Sequence, residues 1–323
     1  MRFGLELEAG EGLSGLIESA VLAEELGYSS VGVSEHHGPK AAVPHPLVAL
    51  AAVAARTERI QVMSHLVLLP LQHPVLVAEQ AAMAQAISKG RLIAGVGLGY
   101  VRDDFLSYGV PFSQRATRME EALPLLRRLW EEDEVEHHGR FYDLSGARVR
   151  QYLEGFGRPA LWGGGWAEKA IRRLARVADA WVAGPMADFA TVGRCAATFH
   201  SAAAERGFEP QELSVSREVF CAPSRREAEE IGGARLFDRY RSTYLRWGHP
   251  CLGEAEQRMS YAELADDRFI VGTPDDCVRS LRRLEAIGVT RVSFRLSSPG
   301  IAAEAAHSSA SLFAREVMPV FAE

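Results

Sequence analysis

Apolar and polar positions alternate in two periods along the 323-residue chain. Short apolar runs of strand length are separated by longer stretches with apolar residues at helical spacing. RFGLEL (2–7), SSVGVS (29–34), RIQVMSHLVLLP (59–70) and RLIAGVGLGY (91–100) predict four strands. PALWGGG (159–165), 179–184, 213–221 and TRVSFRL (290–296) predict four more. Helical patterns cover 13–26, 44–57, 73–88, 115–131, 166–178, 187–206, 224–247, 274–287 and 302–321. Gly27 stops the first of these and a proline opens the second. Strands separated by helices imply right-handed crossovers and a parallel sheet. Eight such units favour an α/β fold closed as a (β/α)8 TIM barrel over an open doubly wound sheet.

Two stretches exceed this repeat. A hairpin insertion is expected over about 132–158, after strand four, and the polar segment 248–268, after strand seven, is expected to form a lid. No linker rich in Pro, Gly or Ser divides the chain, so 1–323 reads as one domain.

Composition narrows the function classes. With 47% hydrophobic and 24% charged residues, the chain is of globular type. A net charge of −6 leaves no basic surplus for nucleic acid. The apolar runs fall short of the ~18 residues of a spanning helix, and MRFGLELEAG carries acids where a signal peptide needs an apolar core. A cytoplasmic protein without membrane partners is expected. Cys195, Cys221, Cys251 and Cys277 form no CxxC pair and read as reduced thiols.

Reactive groups of such a barrel sit where its strands end. Glu35, His36 and His37 follow strand two directly, and an imidazole there can serve as acid, base or donor. A metal reading would draw on His45, His65 and His73, but no HxH or HxxH spacing with a matching carboxylate occurs, so no metal is expected. The same letters recur as Glu136, His137 and His138, where no barrel strand ends. The glycines of GVGLG (95–99) and WGGGW (162–166) end two strands and permit close backbone approach to a flat or anionic ligand. GxGxxG fails, because Tyr100 and Arg102 stand where glycine is required.

Taken in order, the motifs resemble the bacterial luciferase-like flavin monooxygenases. They are RFG, SVGVSEHHG, HLVLLPLQHPVLVAEQAAMAQAISKGRLIAGVGLGY, DDFLSYGVP with a following arginine, PALWGGG, FIVGTPDDCVRSLRRLEAIGV and LFAREVMP. The resemblance spans essentially the whole chain. It implies a barrel holding reduced FMN at its mouth or, in one branch, a deazaflavin. It implies His36 as the active-site base, with His37 beside it. A non-proline cis bond is implied at His65-Leu66, under the flavin ring and next to Ser64. Gly97, Leu98, Gly99 and Tyr100, with Gly164, Gly165 and Trp166, match the phosphate side.

Two departures stand out. Leu98 replaces an arginine that faces the phosphate in luciferase, leaving Arg102, Lys169 or backbone donors of 164–166 as alternatives. Gly97 replaces a cysteine beside the ring. The activity implied is that of a two-component monooxygenase, oxygenating a small organic substrate with dioxygen and reduced FMN supplied by a flavin reductase. A deazaflavin-dependent hydride transfer and a non-catalytic flavin-binding barrel are the alternatives. Tyr244, Trp247 and Tyr261 are expected at the substrate or lid, and a homodimer is expected through the helices flanking strands two to four. Substrate identity is left open.

Overall fold

The computed structural model describes residues 1–8, 12–37, 43–210, 212–245, 251–295 and 300–322. Eight parallel strands close on themselves: β1 (Arg2–Leu7), β2 (Ser30–Val33), β3 (Gln61–Ser64), β4 (Leu92–Gly97), β5 (Ala160–Gly164), β6 (Ala180–Ala183), β7 (Leu213–Cys221) and β8 (Arg291–Arg295). Each pairs with the next, and β8 pairs with β1, so the (β/α)8 barrel is complete. Phe3 of β1 and Phe294 of β8 lie 5.8 Å apart, and both pack on Phe313. Burying such rings contributes about 1.5–3 kcal/mol each, so closure is anchored by apolar packing as well as by the ladder.

The outer helices follow the predicted pattern: α1 (Gly12–Glu25), α2 (Pro46–Arg56), α3 (Pro74–Ile87), α4 (Arg115–Glu131), α5 (Glu168–Ala175), α6 (Phe189–Ala204), α7 (Pro274–Glu285) and α8 (Ala303–Glu316). Their ends are written locally. Asp188 accepts from the Thr191 N–H at 2.6 Å, and Thr273 with Asp276 forms a reciprocal cap before Pro274.

Three features depart from the sequence reading. The third apolar run is not one strand: β3 stops at Ser64, and Val67–Leu68 resumes pairing against β4 before a 3-10 turn at Leu69–Leu71. The helix predicted over 224–247 is broken by π turns at Ala228–Gly233 and Arg241–Leu245. A further strand, Phe269–Gly272, pairs with the far end of β7 outside the barrel circuit. The hairpin after β4 is present as Val135–His138 against Asp143–Ala147.

Candidate active site

A cavity of about 360 Å³ opens at the C-terminal ends of the strands. Its middle is apolar, walled by Leu66, Leu68, Leu98, Met119, Leu174 and Met186. Its two ends are polar and differ in chemistry.

Where β2 ends, the chain turns Ser34, Glu35 and His36 to the cavity. Burial, reinforced by the Arg295 and Arg239 guanidinia, lowers the His36 pKa to about 4. The ring is therefore a neutral base near pH 7. His37 does not line the cavity. Its Nε2 lies 2.7 Å from Glu35 and its Nδ1 3.2 Å from the Tyr108 hydroxyl, with the two rings 4.6 Å apart. The pair expected as catalytic thus separates into one cavity residue and one support. Glu35 also accepts the Leu68 N–H at 2.9 Å and so ties this corner to the segment after β3. Burial pushes its carboxyl up to about 7.

That segment carries the expected cis peptide at His65-Leu66. Ser64 is turned away from the cavity: its hydroxyl exchanges hydrogen bonds with the N–H and carbonyl of Gly95, at 2.9 and 2.8 Å. Its expected cofactor role therefore becomes a structural one in the β3–β4 seam. Leu66 forms the cavity floor, and the glycines make room for it. A Cβ on Gly97 would stand 2.9 Å from Leu66 Cδ1, and one on Gly164 only 2.3 Å. The glycine clusters admit the Leu66 side chain as the floor, where the sequence reading expected close backbone approach to a ligand.

At one end lie Gly165, Trp166 and two arginines, while Tyr100 lines the cavity within the electrostatic reach of Arg295 and Arg239. Trp166 packs edge-on against Trp181, whose indole N–H donates to the Gly165 carbonyl at 2.8 Å. Arg115 stacks 3.8 Å above Phe112, donates to its carbonyl at 2.8 Å, and keeps a buried Nε with no partner among the described residues. Arg173 is held by Glu120 at 2.6 Å. Neither Arg102 nor Lys169 lines the cavity. Arg115 was legible only as the unnumbered arginine after DDFLSYGVP, and Arg173 carried no signal beyond its helix.

The opposite end holds a charged cluster that the sequence reading missed. Arg295 donates to Glu6 at 2.6 Å and to the Tyr244 hydroxyl. Burial alone would raise the Glu6 carboxyl, but Arg295 and His65 outweigh it and hold it at about 2. His65 reaches Glu6 and Ser216, each at 3.4 Å, and its ring covers Gly32. Tyr244 lines the cavity as expected. Tyr261 does not: it packs on Phe237 and Phe269, with its hydroxyl over Gly233. Trp247 and residues 248–250 lie outside the described residues. The remainder of the proposed lid, 251–268, forms short helices at Glu254–Arg258 and Tyr261–Arg268 and contributes no lining residue. Arg239, Thr243 and Tyr244, which precede that segment, line the cavity.

On the hairpin, His138 meets Asp143 at 2.6 Å in solvent, and His137 meets Glu121 at 3.2 Å. Among the described residues no three His, Cys, Asp or Glu side chains gather to hold a metal ion. None of their helices is long and apolar enough to cross a membrane.

A closed barrel with a deep cavity at its C-terminal mouth is the arrangement of a barrel enzyme. The family described as luciferase-like monooxygenase matches residues 1–291, and the chain belongs to that family. The F420-dependent glucose-6-phosphate dehydrogenase of Amycolatopsis mediterranei (strain U-32) is 36% identical over 143 residues, which is 42% of this chain and 43% of that relative. The chain thus matches less than half the length of that relative. The 4-hydroxyprotoasukamycin monooxygenase of Streptomyces nodosus subsp. asukaensis is 29% identical over 327 residues, covering 94% of this chain and 86% of that protein. Among solved structures, monooxygenase RslO1 from Streptomyces bottropensis superposes with a TM-score of 0.87 at 24% identity over all of both chains, a likeness of fold. These relatives are oxidoreductases.

Proposed function

We propose that the protein is the oxygenating component of a two-component monooxygenase, taking reduced FMN from a flavin reductase and transferring one atom of dioxygen to a small organic substrate. The observation that carries this reading is His36: it lines the cavity as a neutral base, beside an apolar floor that a flat ring can cover. The residues fit the flavin. Leu66 supplies the surface under the ring, and Arg115, with its orphaned Nε, and Arg173 supply cationic donors for a phosphate. Reduced flavin, when bound, supplies the electrons that activate dioxygen. The chain's own tasks are to orient the ring, exclude water with apolar walls, and move a proton at the His36 imidazole. Leu98 adds apolar wall where luciferase carries an arginine, and Arg115 and Arg173 take over its charge.

The deazaflavin reading rests on a different feature. Arg173 also borders an outer groove with Lys169, Arg172 and Arg176, whose cations outnumber the paired Glu120 and Glu168 and suit a coenzyme extended on its anionic side. Anaerobic titration separates the two: reduced FMN should quench protein fluorescence saturably, while F420 binding with no affinity for reduced FMN would overturn the proposal. Homodimerisation is proposed through α2 and α3. Val48 is exposed on α2, and Leu76, Met83 and Ile87 are exposed along one face of α3. A monomer by light scattering at micromolar concentration would contradict it.

A further inference from the structure

Barrel closure assembles the polar end of the cavity. Register places Glu6 beside Arg295 and Arg295 beside Glu218, on three neighbouring strands. Arg295 spends one nitrogen on Glu6 and another on Tyr244, and its Nε lies 3.9 Å from Glu8, which pairs with Arg239. Two guanidinia therefore face two ion-paired carboxylates. The third carboxyl, Glu218, is fully buried; among the described residues neither oxygen has a hydrogen-bond partner, and Arg295 is 3.9 Å away. An anion in such surroundings is costly, and burial pushes this carboxyl up to about 7, so a sizeable share of it stays protonated near neutral pH. The end of the cavity thus offers hydrogen bonds with little surplus positive charge.

Tyr244 is the group that offers one. Its ring is buried against Tyr240, 5.4 Å away, while the residue lines the cavity. Its oxygen accepts from Arg295, so its own hydrogen is directed elsewhere, and among the described residues nothing accepts it. A hydroxyl that accepts from a guanidinium is a stronger donor than an isolated one. We propose that Tyr244, polarised by Arg295, is the specificity-determining donor toward substrate and selects an uncharged oxygen acceptor, such as a ketone carbonyl, over a carboxylate or sulfonate. The two guanidinia that line this end, Arg295 and Arg239, are already matched by Glu6 and Glu8, so the charge of an anionic substrate would meet no uncompensated cation. This assignment rests on the flavin reading, in which the ring covers Leu66 and the phosphate lies toward Arg115, leaving the Arg295 end to substrate.

The test uses three isosteric probes, acetophenone, α-methylstyrene and benzoate, with their two-ring naphthyl counterparts. Equilibrium dialysis is run anaerobically on the full-length protein, with and without reduced FMN. The ketones should bind about tenfold more tightly than either isostere, the worth of one hydrogen bond in a charged network. Tyr244→Phe should abolish that preference while leaving reduced FMN affinity within twofold. Ketones that bind no better than the alkenes, carboxylates that bind best, no retained ketone at all, or a preference that survives Tyr244→Phe would each overturn the assignment. A ketone preference in protein that fails to bind reduced FMN would support the Tyr244 assignment and sink the flavin reading alone.

Discussion

The letters EHH occur twice in this chain, and the two copies have opposite surroundings. In the first, Glu35 is buried, His36 lines the cavity, and His37 is clamped between Glu35 and Tyr108. In the second, Glu136 accepts the Gly146 N–H at 2.6 Å across the hairpin, and His138 pairs with Asp143 in water. What differs is what the copy follows. The first is the continuation of a strand buried on both faces, so its side chains are delivered into low dielectric. The second is itself an edge strand of a surface hairpin. Desolvation separates the cavity imidazole from the solvated ones, and residue identity does not.

The sharpest way to break this contrast is His36→Ala. Loss of a positioned acid or base should cut oxygenation by about 10²-fold or more while reduced FMN affinity changes little. Unchanged turnover in a stopped assay would remove His36 from the chemistry. Acid titration follows from the same ring. Its folded pKa of about 4 lies below the ordinary ~6.5, so neutral His36 contributes stability above about pH 6.5 and loses it as pH falls through 4. The stability gap between wild type and His36→Ala, read by urea melts, should therefore change between pH 6.5 and 4 and stay flat above 7.

Next in size is the support. Glu35→Ala leaves the Leu68 N–H without its acceptor and the His37 ring without its partner, and should cost about 1–3 kcal/mol in a urea melt. Gly164→Ala drives a methyl into Leu66, with a cost of about 1–3 kcal/mol and weakened flavin binding. Adding Leu66→Ala should restore the space, and failure of that rescue would mean the glycine serves the ligand directly. The smallest effect belongs to the second copy: His138→Ala should stay within about 0.5 kcal/mol and leave turnover unchanged.

Much of the fold was legible because barrel strands buried on both faces read as unbroken apolar runs between amphipathic helices. The strand at 269–272 escaped because four residues of FIVG give no period, and its partner is merely the overlong end of β7. His36 and the Leu66 corner were legible from strand ends and from resemblance. Glu6, Glu218 and Arg295 were not. Each looked like a polar interruption in its own strand, and only the pairing of β7 with β8 and the closure of β8 onto β1 bring them to one level. Arg115 and Arg173 were hidden for a similar reason, since they come from α4 and α5, outer helices whose charged residues ordinarily face water. The lid expectation failed at Tyr261 because aromatic content alone does not tell packing from access.

The central claim is that the first copy faces the coenzyme cavity and the second does not. Protein labelled with [15N]histidine, titrated anaerobically with reduced FMN, tests it directly by imidazole NMR. The His36 ring resonances should shift and saturate with binding, while those of His137 and His138 stay in place. Saturable binding of reduced FMN with an unmoved His36, or with movement of the hairpin histidines instead, would contradict it.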